Sequence, residues 1–180
     1  MNKYIHKIKI IFYRLKCNGE EIQRLNTEYY KELGMKIGSN LRCYSNIITP
    51  EPYLIELGNN ITISAGVTFL THDNSICKIF KDKTDVFGRV LIKDNCFIGM
   101  NTTILPGVTI GENTIVGAGS VVTKSFPNGN IVIAGNPAKK ICTIEEYKEK
   151  INKYSLNTNE MNFKTKKEYI LKNQNKLICK

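Results

Sequence analysis

A six-residue beat runs through the middle of the chain. Ile92, Ile98, Ile104, Ile110, Val116 and Val122 are each six apart, a period that fits neither a helix nor an ordinary hairpin. Four places after the first five of them come Cys96, Thr102, Val108, Thr114 and Ser120, all small or β-branched. Gly99, Gly111 and Gly117 directly follow an aliphatic residue. A unit of this length is one short strand plus a corner. Three units close a triangular coil of about eighteen residues, and successive coils stack as parallel strands about 4.8 Å apart. Each inward Ile or Val then contributes roughly 1.5–3 kcal/mol by burial. One coil cannot bury its own faces, so stability must come from stacking. The glycines are expected at corners that need a positive φ.

The same pattern appears earlier in a second register. Leu57, Ile63 and Phe69 are six apart, with Gly58 after Leu57 and with Ile61 and Val67 at the small-residue position. A weaker start is Ile37-Gly38, with Leu41, Cys43 and Ile47 in phase. The stretch TPEPYLIE (49–56) interrupts the phase. A larger interruption runs from about His72 to Gly88 and is expected to leave the coil as an extended loop, the kind of segment that carries function. After Val122 the beat fades. Pro127, Asn128 and Gly129 make a turn, and NIVIAGNPAKKI (130–141) reads as a strand followed by a Pro break.

The two ends read as helical. In residues 2–17, Ile8, Ile11, Phe12 and Leu15 fall on one helix face, with Lys7, Lys9, Arg14 and Lys16 mostly elsewhere around the wheel. Such a helix packs on the main domain or a neighbouring subunit, or makes peripheral contact with an anionic membrane. A second helix is expected over roughly 20–33, stopped at Gly34. Thr143, with Glu146 three residues later, forms the signature of a capping box. Residues 155–162 read as a linker and 163–178 as a short basic helix. The expected organisation is an N-terminal helical segment (1–34), a repeat domain (35–141) with an excursion near 72–88, and a helical tail (142–180).

Composition removes several classes. A length of 180 residues suits one main domain with appendages. The net charge of +10 is compatible with nucleic acid, anionic membrane or a phosphorylated ligand. No RNP-type aromatic motif, zinc-finger spacing or recognition-helix signature accompanies it, so no nucleic-acid partner is expected. Six cysteines form no CxxC pair and no secreted disulfide framework. No stretch is apolar enough to span a bilayer, and no leader pattern is recognisable. A cytoplasmic location is expected, with the inner face of the membrane as the place for the basic N-terminal helix.

GVTIGENTIVGAGSVVTK (107–124), AGNPAK (134–139) and LIELGNNITISAGVTFLTHD (54–73) together resemble the hexapeptide-repeat acetyltransferases. They are similar to the maltose and galactoside O-acetyltransferases, and closer in texture to the small O-acetyltransferases of capsule and O-antigen gene clusters. The likeness covers about residues 35–141. It implies a left-handed parallel β-helix, against the usual crossover handedness, and a homotrimer with active sites between neighbouring copies. It implies acetyl-CoA as donor and no metal. The family's general base sits where the repeat gives way to the excursion, which is His72. Asp73 faces solvent, caps the loop or holds the acceptor sugar. Either Glu51 or Glu56 orients the imidazole. The family's backbone contacts to coenzyme A fall at Met100 and Ala118, its adenine-flanking residues at Thr123 and Lys124, and its phosphate-binding base at Lys139, with Lys140 the neighbouring choice.

His is well suited to the chemistry, because a group titrating near pH 6.5 can take the proton of an attacking hydroxyl. The chain has two His, and only His72 lies among the repeats, His6 being treated as incidental. Zinc carbonic anhydrases on the same fold use three histidines per site, so that reading fails on ligand count. A cysteine mechanism lacks a second His, and Cys43 and Cys96 fall at inward or wall positions. The residues ahead of the repeats are too few for the large N-terminal domains of sugar-nucleotide N-acetyltransferases or serine acetyltransferases. The expected function is acetyl-CoA-dependent O-acetylation of a carbohydrate hydroxyl, on a surface polysaccharide or its precursor. The alternatives are a streptogramin-type antibiotic O-acetyltransferase and a non-catalytic trimeric scaffold.

Overall fold

The structure is a computed structural model that describes residues 3–15 and 19–179. Asn2, Lys16 and Cys17, from the N-terminal amphipathic stretch, lie outside the described residues. The chain divides into two compact units, Met1–Cys142 and Thr143–Lys180.

The first unit is built from very short strands that visit three sheets in rotation. One sheet stacks Lys36–Ile37, Ile55–Leu57, Val90–Ile92 and Thr109–Ile110. The second stacks Arg42–Cys43, Thr62–Ile63, Phe97–Ile98, Ile115–Val116 and Ile131–Gly135, with Ala138–Thr143 at its edge. The third stacks Thr68–Phe69, Thr103–Ile104 and Val121–Val122. Strands up to Ile131–Gly135 pair in parallel within each sheet. The six-residue beat therefore carries the chain from one sheet to the next, and three beats return it one strand higher.

The register measures each turn. Ile92 lies beside Ile110, so this turn is three beats and nothing more. Leu57 lies beside Ile92, so that turn exceeds three beats by the length of the excursion expected over 72–88. Ile37 lies beside Leu57, so the interruption after Thr49 makes its turn only slightly longer than three beats. Both breaks leave the pairing above and below them in phase. A slip of one residue would turn each inward side chain outward.

The expected interior is the observed one. Ile92, Ile98, Ile104, Ile110, Val116 and Val122 are fully buried, as are Ile63 and Ile61 of the earlier register. The small position also faces inward, and its polar atoms are satisfied locally. Ser120 Oγ donates to the Gly117 carbonyl at 2.6 Å and Thr114 Oγ1 to the Gly111 carbonyl at 2.8 Å. Buried hydroxyls left unpaired would each cost roughly 1–3 kcal/mol.

The corners meet expectation only in part. Gly66, Gly107 and Gly119 do take positive φ at the other two corners, but at the corner after the first sheet it is taken by asparagine: Asn40, Asn60, Asn95, Asn113 and Asn130 all have φ between 52° and 57°. They stack side chain to side chain, Asn40 Nδ2 on Asn60 Oδ1 at 2.7 Å, Asn60 Nδ2 on Asn95 Oδ1 at 3.0 Å, and Asn113 Nδ2 on Asn130 Oδ1 at 3.0 Å. Asparagine is among the few residues that tolerate this region. The glycines of the beat have a different task. A Cβ on Gly99 would sit 2.5 Å from the Ala118 nitrogen, and one on Gly111 would sit 2.4 Å from the Gly129 nitrogen. They are needed because the next coil's backbone passes too close for any side chain.

Two helices, α1 (Lys3–Leu15) and α2 (Gly19–Glu32), belong to this unit. α2 covers the open end of the stack. Gln23 Oε1 accepts the otherwise unpaired Cys43 amide at 2.7 Å, and the Tyr30 hydroxyl bridges the Ser45 carbonyl and the Ile47 amide. Covering an edge in this way blocks further strand addition. The second unit holds α3 (Ile144–Asn152) and α4 (Phe163–Lys172). Thr143 and Glu146 form the expected capping box. α4 stops at Lys172, short of the expected limit at 178, and a 3-10 turn, Gln174–Lys176, follows.

Candidate active site

The two breaks in the beat converge. The first leaves the second sheet after Cys43, passes Ile47, Thr49 and Glu51, and re-enters through a 3-10 turn, Pro52–Leu54. The second begins at Thr71. Here the structure corrects the expectation of an extended loop. His72–Asp73 and Val86–Phe87 pair as an antiparallel two-residue ribbon, His72 opposite Phe87. Below it the Gly88 amide donates to the Thr71 carbonyl at 2.9 Å. Above it Asn74 Nδ2 donates to the Thr84 carbonyl at 2.8 Å and to Asp85 Oδ1 at 3.1 Å. His72 thus sits on a fastened ribbon whose base is anchored in the coil.

Glu51 Oε2 is the meeting point. It lies 2.9 Å from His72 Nδ1 and accepts the Thr71 hydroxyl at 2.6 Å. Thr71 spends its one hydrogen there, so Thr49, 2.6 Å away, is the donor to Thr71. The hydrogen bonds from Thr71 and then His72 hold the Glu51 carboxyl below its ordinary range. An ionised carboxylate can only accept, so Nδ1 carries the imidazole proton and Nε2 keeps a free lone pair. The same bond to Glu51 raises the His72 pKa above its ordinary value, against partial desolvation and with help from the charges of Glu51, Asp85 and Asp73. The Phe87 ring stands against the imidazole, centroids 6.0 Å apart. Of the two carboxylates considered as orienters, Glu51 is the one in contact. Glu56 points to the surface and faces Lys36 Nζ at 3.4 Å.

The remaining predicted residues divide by place. Asp73 is exposed and its Oδ1 accepts the Ser75 amide at 2.8 Å, so it caps the turn that follows. Met100 and Ala118 occupy the corner between the second and third sheets, one coil apart, and the Gly119 amide donates to the Met100 carbonyl at 2.7 Å. Neighbouring amides there are used within the stack, Gly99 on Val116, Asn101 on Ala65 and Gly117 on Ile133. Those of Met100 and Ala118 are not, among the described residues. Thr123 and Lys124 follow the third sheet, as His72 does, two strands further along. Both are exposed, and Lys124 Nζ lies 5.9 Å from the Phe126 ring centre. Lys139 is exposed on the edge strand of the second sheet. The imidazole and the two free amides therefore stand at different corners of one chain.

Two residues of the site were not anticipated. Thr71 is fully buried and donates to the carboxylate, and the half-buried Thr49 in turn donates to Thr71. Thr71 was readable in part, because it sits two places after the inward Phe69. Burial pushes the thiols of Cys43 and Cys96 up to about 11, so neither is a ready nucleophile. Among the described residues, no group of three or more His, Cys, Asp or Glu is placed to hold a metal ion.

Known proteins share this chain's repeat and fold. Residues 89–124 match the family model described as bacterial transferase hexapeptide (six repeats). Protein CapG of Staphylococcus aureus is 46% identical over 155 residues, covering 83% of this chain and 89% of CapG. The crystal structure of a maltose O-acetyltransferase from Clostridium difficile 630 superposes with a TM-score of 0.53 at 30% identity, over 67% of this chain and 75% of that one. A galactoside acetyltransferase in complex with coenzyme A gives a TM-score of 0.53 at 25% identity, over 79% of this chain and 78% of that one.

Proposed function

The chain belongs to the hexapeptide-repeat acetyltransferases, and on that premise we propose that it transfers the acetyl group of acetyl-CoA to a carbohydrate hydroxyl, with His72 as general base. The chain is an acyltransferase with acetyl-CoA as donor. The acceptor, a surface polysaccharide or its precursor, rests on the sugar-acetylating relatives. The fold proposed is the family's left-handed triangular prism, a reading supported by the rotation of strands through three parallel sheets.

One observation carries the mechanism: an ionised Glu51 bound to Nδ1 leaves Nε2 as the free basic nitrogen. The acceptor O–H gives its proton to Nε2 as its oxygen attacks the thioester carbonyl carbon. The C–O bond forms and the carbonyl becomes an oxyanion. The C–S bond then breaks, coenzyme A leaves, and its sulfur takes the proton back from Nε2. Glu51 stabilises the transient imidazolium as a positioning residue. The free amides of Met100 and Ala118 are suited to hold the thioester arm or the developing oxyanion. Lys124 and Lys139 supply positive charge for the phosphates of coenzyme A. Thr123 flanks the adenine end. Asp73 caps its turn and shapes the acceptor side of the ribbon.

His72 and the Met100–Ala118 corner do not meet within one chain, which favours a trimer whose sites combine the imidazole of one copy with the amides of the next. The enzyme works in the cytoplasm on this reading. The test is thiol release from acetyl-CoA with a panel of oligosaccharides. Acceptor-dependent release by the wild type, abolished in His72→Ala, is expected. Equal rates for the two proteins would sink the role of His72. The absence of both release and a thermal shift with coenzyme A would sink the enzyme reading.

A further inference from the structure

α1 carries an exposed apolar face, whose edge residue Ile11 also lines a cavity with Ile22, Leu33 and Tyr44. At about 100° per residue, Tyr4, Ile5, Ile8, Ile11, Phe12 and Leu15 fall within an arc of about 120°. All are exposed, Ile8 at 67% and Leu15 at 81%. The helix is fastened by the opposite side. His6 is buried there and stacks on Tyr29, ring centroids 4.2 Å apart and 9° from parallel, while Ile10 and Tyr13 are half-buried. Burial lowers the His6 pKa, so that inner edge stays neutral at ordinary pH.

The segment that carries the arc is cationic. Lys9 is exposed beside the arc. From residue 3 to residue 16 the sequence carries Lys3, Lys7, Lys9, Arg14 and Lys16, and the first acid is Glu20. An exposed apolar arc on an acid-free, strongly basic segment, with its helix fixed by the opposite side, is the pattern of a helix lying in the plane of an anionic lipid surface. A second copy of this chain is the poorer occupant. Symmetric pairing through this face would set two acid-free cationic helices against each other, in a protein whose net charge is already +10.

We propose that α1 docks the protein on an anionic membrane, with Ile5, Ile8 and Leu15 entering the interface and the positive charge of the segment drawing it to the headgroups. The inference goes beyond acetyl transfer and does not depend on it.

The test is flotation of the full chain with vesicles of phosphatidylcholine alone and with vesicles containing phosphatidylglycerol. Recovery with the anionic vesicles should exceed that with neutral ones by about ten-fold and fall as salt rises. Ile8→Ser with Leu15→Ser should lower it by about ten-fold or more, while an unchanged melting temperature reports an intact body. Should that variant not fold, Lys9→Glu decides, with selectivity for anionic vesicles expected to fall. Three results would overturn the proposal: no flotation of the wild type at low salt, equal recovery with both vesicles, or unchanged recovery for the folded variant. If wild type does not float and the Ser variant has a smaller mass in solution, the face is a contact between copies. Thiol release with soluble saccharides is measured without vesicles, so either reading can fail alone.

Discussion

Between Val90 and Val122 the coil runs without interruption, and between Lys36 and Gly88 it is broken twice. The unbroken stretch advances by three beats per turn, and its inward polar atoms are small hydroxyls that bond to corner carbonyls. The broken stretch takes longer turns, slightly so from Ile37 to Leu57 and much more so from Leu57 to Ile92. Its breaks carry a carboxylate, an imidazole and two threonines to one point. A continuous beat has no room for such a cluster, because each of its positions is assigned to the wall, the interior or a corner. The stack supplies rigidity, and the departures from it supply the titratable groups.

That division can be broken or sharpened by substitution. His72→Ala should lower kcat by roughly 10²–10⁴-fold with little change in melting temperature; a large loss of stability would mean that the ribbon also holds the coil together. Ile104→Ala, in the unbroken stretch, should cost roughly 2–5 kcal/mol in urea unfolding. Its surviving folded fraction should keep the wild-type pH profile, and an altered profile would show that the two stretches are mechanically coupled.

Glu51→Gln comes next. On the proposed mechanism activity needs a neutral imidazole, so kcat/KM is expected to fall as pH drops through the His72 pKa, which Glu51 raises above the ordinary value. Without the carboxylate the inflexion should move to lower pH, and kcat/KM on the plateau should fall about ten-fold. An unmoved inflexion would detach Glu51 from the base. The smallest effect is expected at Asn60→Ala, which forces alanine to a φ of 55° and removes two side-chain bonds. It should cost about 1 kcal/mol or somewhat more. Asn60→Gly, which accepts that φ, should recover part of the loss in the same unfolding measurement.

The ladder was legible because its signal is local. One beat specifies a strand and a corner, and the inward set from Ile92 to Val122 is the buried set. The corner chemistry was half legible. Asn40, Asn60, Asn95 and Asn113 each stand three places after an inward Ile or Leu, a signal present in the sequence but overlooked beside the glycines. Glycine supplies positive φ at Gly66, Gly107 and Gly119 as assigned, whereas Gly99 and Gly111 answer to a backbone one coil away, which no local pattern records. The choice of Glu51 over Glu56 was hidden for a similar reason. It depends on a slight lengthening of one turn and on contacts that reach from Glu51 to Thr71 and His72, a full coil along the chain. In α1 the spacing defined an apolar stripe, but periodicity is silent on whether a stripe faces inward or outward.

The closure at Thr71 and Gly88 has a further consequence. One backbone bond of 2.9 Å and a two-residue ribbon return the chain to the coil in register. The entropy of closing a loop rises slowly with its length, by about 0.6 kcal/mol per doubling. Segments of quite different size can therefore be spliced between Asp73 and Val86 without retuning the scaffold. The excursion is a natural cassette, and on the proposed function exchanging it between relatives is expected to change acceptor preference while the donor side stays fixed.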